Sequence, residues 1–132
     1  MTAIVSAAGE SQFCGGTLIA SQWVLTAAHC MFKDSQGQNP QTAAEIKALL
    51  GEHNLASTGE ETIPRKLVTV TQIINHASYD ATSSNYDIAL LKLSEKVDLN
   101  VYTPACLAKS ADNFEGKNAW VYGKSICYVK TM

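Results

Sequence analysis

The stretch Phe13-Cys-Gly-Gly-Thr-Leu-Ile-Ala-Ser-Gln-Trp-Val-Leu-Thr-Ala-Ala-His-Cys30 decides how the rest of the chain is read. It holds two cysteines, a Gly-Gly turn, and a histidine at the end of an apolar segment. Cysteines flanking a pair of strands can staple them together. That crosslink would fix the backbone carrying His29. A histidine anchored in this way suits general-base work, which needs sub-ångström placement.

Outward from this stretch, short β-rich segments alternate with Gly, Ser, Asn, Asp and Pro. Strands are predicted at Thr2–Ala8, Cys14–Ile19, Trp23–Thr26, Ile46–Leu50, Leu67–Ile74 and Ile88–Leu93. In the fifth, Val68 and Val70 alternate with Thr69 and Thr71, the period of a half-buried strand. The sixth, Ile88-Ala-Leu-Leu-Lys-Leu, is denser in apolar residues, as expected where both faces are covered. Thr42 to Leu50 carries helix formers at its start, and its second half is assigned to strand. Lys33–Pro40 and the stretch from Ala56 to Thr62 read as surface loops. The pattern predicts an all-β protein, an antiparallel barrel or sandwich.

The chain has 132 residues, 46% hydrophobic and 17% charged, with a net charge of −2. That suffices for one domain with a real core. The near-neutral balance lacks the Lys/Arg clusters that neutralise phosphates, so nucleic acid is not an expected partner. No apolar run approaches the ~20 residues of a membrane-spanning helix. The four cysteines, at 14, 30, 106 and 127, contain no CxxC pair. A zinc-thiolate centre is therefore not expected, and one or two disulfides or free thiols are.

Thr26-Ala-Ala-His-Cys30, preceded by Cys14-Gly-Gly-Thr-Leu-Ile, resembles the histidine region of the chymotrypsin/trypsin family of serine endopeptidases. Further matches follow in the same order: Gly51-Glu-His-Asn-Leu, Tyr86-Asp-Ile-Ala-Leu-Leu-Lys-Leu, Pro104-Ala-Cys-Leu and Trp120-Val-Tyr-Gly. The resemblance implies a six-stranded antiparallel β-barrel, the N-terminal half of the family's two-barrel fold. Residues 1–119 would form that barrel and its linker. Residues 120–132 would open the second barrel and diverge after Gly123 into Lys-Ser-Ile-Cys-Tyr-Val-Lys-Thr-Met.

The resemblance also implies roles. His29 would be the general base, Asp87 would hold its tautomer, and Cys14–Cys30 would form the disulfide beside them. Glu52 and Glu61 would offer carboxylates to a structural calcium ion, the default being a solvated acidic loop. No other cofactor is required. His53, His76, Asp80 and Asp98 carry no catalytic motif. Cys106 has a family counterpart and Cys127 has none; they pair with each other or stay free.

Among the 132 residues no Gly-Asp-Ser-Gly-Gly stretch occurs, so neither the nucleophile nor its oxyanion hole is present. Ile4-Val5 fits a core strand rather than the family's activation N-terminus. The expected function is peptide-bond hydrolysis on protein or peptide substrates in a full-length parent. This chain is expected to be inactive alone, a truncated fragment. The alternative is a non-catalytic pseudoprotease module binding a protein partner. In either case the inter-barrel face would be exposed, open to a partner or to aggregation. The resemblance implies an extracellular protein, although the first residues do not read as a signal peptide.

Overall fold

The structure, a computed structural model, describes residues 1–8, 11–51, 63–121 and 128–131. Six strands close into an antiparallel barrel: β1 (Thr2–Ser6), β2 (Gln12–Ala20), β3 (Trp23–Thr26), β4 (Ile46–Leu50), β5 (Lys66–Asn75) and β6 (Ala89–Leu93). Their spatial order is β1-β2-β3-β6-β5-β4, with β4 pairing back onto β1. Closure leaves none of the six with a bare edge. The ladder register shifts at Ile4/Val5, Leu18/Ala20 and Val70/Gln72. Such bulges bend a strand and add twist, which lets a sheet this small curl on itself.

Side-chain alternation points one face of each strand inward. In β6, Ala89, Leu91 and Leu93 are buried while Leu90 and Lys92 are only half-buried. The dense apolar run is thus not covered equally on both faces. On its outer face the Lys92 ammonium lies 5.9 Å from the centre of the Trp23 ring. β1 is buried on both faces along most of its length. Ile4 enters the main core with Leu18, Val24, Met31, Ile46, Leu50, Val68 and Leu91. Ala3 and Val5 form a smaller cluster with Leu49, flanked by Leu67.

Close approach explains two glycines. A Cβ on Gly16 would meet Val24 Cγ1 at 2.7 Å, so β2 and β3 could not pack as they do. Gly51 ends β4 with φ +73°, and a Cβ there would lie 2.3 Å from the Pro64 carbonyl oxygen. Only glycine takes that backbone without strain.

The segment from Thr42 divides as its composition suggests. Ala43–Glu45 form one 3₁₀ turn, and Ile46 begins β4. The Glu45 carboxylate accepts the Thr42 N–H at 2.8 Å and its hydroxyl at 2.9 Å, and pairs with Lys33. The Lys33 ammonium, then the Thr42 donors, hold the Glu45 carboxyl down to about 2, from an ordinary 4.5. A depressed pKa means stability present above the ordinary value and lost as pH falls through the folded one. Glu45→Gln is therefore expected to lower the melting temperature at pH 7. The gap to the parent should shrink as pH falls from 4.5 towards 2, and thermal melts across that range check it.

Beyond the barrel, β7 (Asn118–Val121) pairs antiparallel with β8 (Tyr128–Thr131) in a separate two-stranded sheet. No strand in the last residues was expected from composition or periodicity. No helix among the described residues is long and apolar enough to cross a membrane.

Candidate active site

Sequence places His29 and Asp87 fifty-eight residues apart. The barrel register removes that distance. β3 and β6 are antiparallel neighbours, with Thr26 opposite Ala89. The chain leaving β3 reaches His29 three residues later, and the chain entering β6 passes Asp87 two residues before Ala89. Both residues therefore sit at the same rim. β5 ends there too, because Asn75 also faces Ala89.

His29 opens a 3₁₀ turn, His29–Met31, whose Cys30 and Met31 are buried. Turn and strand are pinned from three sides. Cys14 and Cys30 form a disulfide, joining β2 to the turn with Cα atoms 6.1 Å apart. The Thr26 hydroxyl donates to the Gly15 carbonyl at 2.8 Å. The Gln41 side chain donates to the Cys30 carbonyl at 2.9 Å. Of the disulfides and free thiols left open by the cysteine count, the disulfide is formed here. Cys106 is an exposed free thiol among the described residues.

Asp87 binds His29 twice. Its Oδ1 accepts the His29 backbone N–H at 2.8 Å, and its Oδ2 lies 2.7 Å from Nδ1. Burial pushes the Asp87 carboxyl up, but the His29 N–H, its ring and the Ala28 N–H outweigh that and hold it below the usual carboxylate value. An ionised carboxylate can only accept, so Nδ1 carries the ring proton and Nε2 keeps a free lone pair. The His29 side chain is 62% exposed, so that lone pair is open to an incoming group, and Asp87 is shielded behind it at 26%.

Two tyrosines given no role by the sequence, Tyr86 and Tyr79, hold this rim. Tyr86 has φ +54°, an uncommon left-handed backbone for an aromatic residue. It aims the chain into Asp87, and its ring stacks on His76 at 4.7 Å with planes 7° apart. Tyr79 stacks on Phe32, just past the histidine turn, at 5.6 Å. Burial, and then the charges of Asp87 and Asp80, raise the Tyr79 hydroxyl pKa. Tyr86 opens the stretch that carries Asp87, but its left-handed backbone has no sequence signal, because Asn or Gly is the usual occupant of such a φ.

Asp80, Asp98 and His76 make local hydrogen bonds. Asp80 Oδ1 accepts the Thr82 N–H and its Oδ2 the Ser83 hydroxyl; Asp98 Oδ1 accepts the Asn100 N–H. Both are turn formers. His76 Nδ1 accepts the Ser78 N–H at 3.1 Å. Glu52, His53 and Glu61 lie outside the described residues, as does Cys127.

Comparison with known proteins agrees with this geometry. The family model described as Trypsin matches residues 1–125. Coagulation factor IX of Cavia porcellus is 40% identical over 104 residues, 76% of this chain and 32% of that protein. Trypsin I-P1 of Gallus gallus is 44% identical over 91 residues, 68% and 31% respectively. Tryptase of Mus musculus is 38% identical over 113 residues, 84% and 37%. The chain spans about a third of the length of these relatives. A match along nearly the whole chain, on a closed six-stranded barrel that pairs His29 with Asp87, places this protein in the chymotrypsin/trypsin family of serine endopeptidases.

Proposed function

We propose that this barrel supplies the general base and its orienting carboxylate for peptide-bond hydrolysis by a serine endopeptidase. The observation that carries the reading is the His29–Asp87 pair, bonded at Nδ1 with Nε2 open to the outside. Nε2 takes the proton of an attacking serine hydroxyl. Asp87 stabilises the imidazolium that forms and keeps the ring in the tautomer that can accept. His29 then returns the proton to the leaving amine.

A nucleophile must come from elsewhere. None of the serines, at 6, 11, 21, 35, 57, 78, 83, 84, 94, 110 and 125, stands between the glycines that would frame an oxyanion hole. The substrate is a protein or peptide, met in a longer protein that brings the serine and those N–H groups. The 132 residues alone hydrolyse no peptide. Incubation of the purified chain with a serine-directed fluorophosphonate probe and a panel of fluorogenic peptides tests this. No covalent label and no turnover are expected; labelling together with turnover would overturn it. Location outside the cell is part of the same proposal, supported by the Cys14–Cys30 disulfide, which persists in oxidising compartments.

A further inference from the structure

The disulfide and the histidine are neighbours in space, not only in sequence. His29 Nε2 lies 3.5 Å from Cys30 Sγ. Cys14 Sγ, Cys30 Sγ and a His29 ring nitrogen all fall within 4.8 Å of one another. In the oxidised chain the two sulfurs are bonded to each other and offer a metal nothing. Opened, they become two thiolates beside an imidazole. We propose that reduction of Cys14–Cys30 creates a zinc site with Cys14 Sγ, Cys30 Sγ and His29 Nε2 as its three protein ligands.

Ligand type, spacing and surroundings each favour it. Thiolate and imidazole are the ligands zinc prefers, at ~2.3 Å from sulfur and ~2.0–2.1 Å from nitrogen. A tetrahedral centre with those bonds sets its ligand atoms roughly 3.5–3.8 Å apart. The Nε2–Sγ distance already has that value. The two sulfurs need only swing apart, on Cα atoms 6.1 Å from each other. Nδ1 is engaged with Asp87 at 2.7 Å, so Nε2 has its lone pair free. A ligating histidine held by a carboxylate through its other nitrogen is the usual outer shell of zinc. The 62% exposure of the His29 side chain leaves room for water as fourth ligand. Three protein ligands and one open position describe a reactive or regulatory centre rather than a closed structural one.

A dithiol breaks the S–S bond by exchange and is itself oxidised to a disulfide, while both cysteines leave as thiols. Zinc then displaces one proton from each thiol to solvent and accepts a lone pair from Nε2. Cys14 is half-buried and gives the reductant its approach; Cys30 is almost closed off. Metal on Nε2 would occupy the lone pair that a base needs. The site itself stands independently of any catalytic role for His29, because its readout is metal binding.

The test uses the full chain carrying Cys106→Ser and Cys127→Ser, so that two cysteines remain. A trialkylphosphine reduces the disulfide, taking oxygen from water to become its oxide and yielding the same two thiols. Zinc is then titrated in competition with a chromophoric chelator, and cobalt(II) is used as a spectroscopic stand-in. One tightly held zinc per reduced chain is expected, with thiolate-to-cobalt charge-transfer absorption, and none on the oxidised chain. Asp87→Asn should weaken zinc by ~10–100-fold, and His29→Ala by at least as much. Near-ultraviolet circular dichroism follows the fold throughout, and Asp87→Asn decides the matter should His29→Ala not fold. Absence of tight zinc in a folded reduced chain would overturn the site. So would unchanged affinity in both variants, or a reduced chain that loses its fold and does not regain it with zinc.

Discussion

Asp87→Asn, placed in a protein that carries both this barrel and the serine, is expected to cut kcat by roughly 10⁴ while leaving the fold intact, the magnitude that a wrong histidine tautomer costs in a Ser-His-Asp triad. The reason is visible in the two bonds that Asp87 accepts, from the His29 N–H and from Nδ1. A carboxamide has one oxygen and one NH₂ group. If its oxygen keeps the backbone N–H, its NH₂ faces Nδ1, and Nδ1 must then accept. The ring proton moves to Nε2, which can no longer take a proton from serine. Ester turnover near neutral pH measures the loss. The 132-residue chain also reports it without any turnover. In ¹⁵N spectra recorded well above the usual imidazole range, the protonated ring nitrogen should change from Nδ1 to Nε2. Turnover within tenfold of the parent would show that the Asp87–Nδ1 bond does not govern the tautomer.

The largest expected loss of stability is at Leu91. It is 0% exposed and sits in β6 opposite both Val24 of β3 and Ile73 of β5. Truncation to alanine removes its packing and leaves a cavity that a closed barrel cannot collapse around. The expected cost is ~2–5 kcal/mol, against a total stability of order 5–15 kcal/mol. Urea denaturation followed by fluorescence should show a lower midpoint with an unchanged slope. Leu90→Ala, one residue away on the half-buried outer face, should cost distinctly less. An equal loss at the two positions would contradict the inward and outward assignment of β6. The strand matters to the site because it fixes the height at which Asp87 enters.

Much of this was readable before any coordinates. The six strands lie where alternation and turn residues put them, all within two residues of their expected ends. The pairing of His29 with Asp87 and the Cys14–Cys30 bridge were implied by the family resemblance of the short stretches that carry them, and both are formed. Three things were not readable, each for a reason. β1 was expected to reach Ala8, but it ends at Ser6, where the Ala7 N–H turns to the Glu45 carbonyl. That partner lies far along the chain, beyond the reach of local pattern. Burial of β1 on both faces depends on β4, again a distant segment. Tyr86 adopts its left-handed backbone against its own preference, and only its stack on His76 and the turn around it make that tolerable.

The register of β3 against β6 has a consequence for how this protein can vary. The histidine and the aspartate, fifty-eight positions apart, are located by the strands that lead into them and not by the length of chain between them. The exposed tip around Ser35 to Gln38, closed off by the bridge between Phe32 and Pro40, can lengthen or shorten without moving either side chain. Doubling a flexible loop costs only ~0.6 kcal/mol. Chains of this kind can therefore change their rim loops, and with them what the rim touches, while the proton-handling pair is inherited untouched.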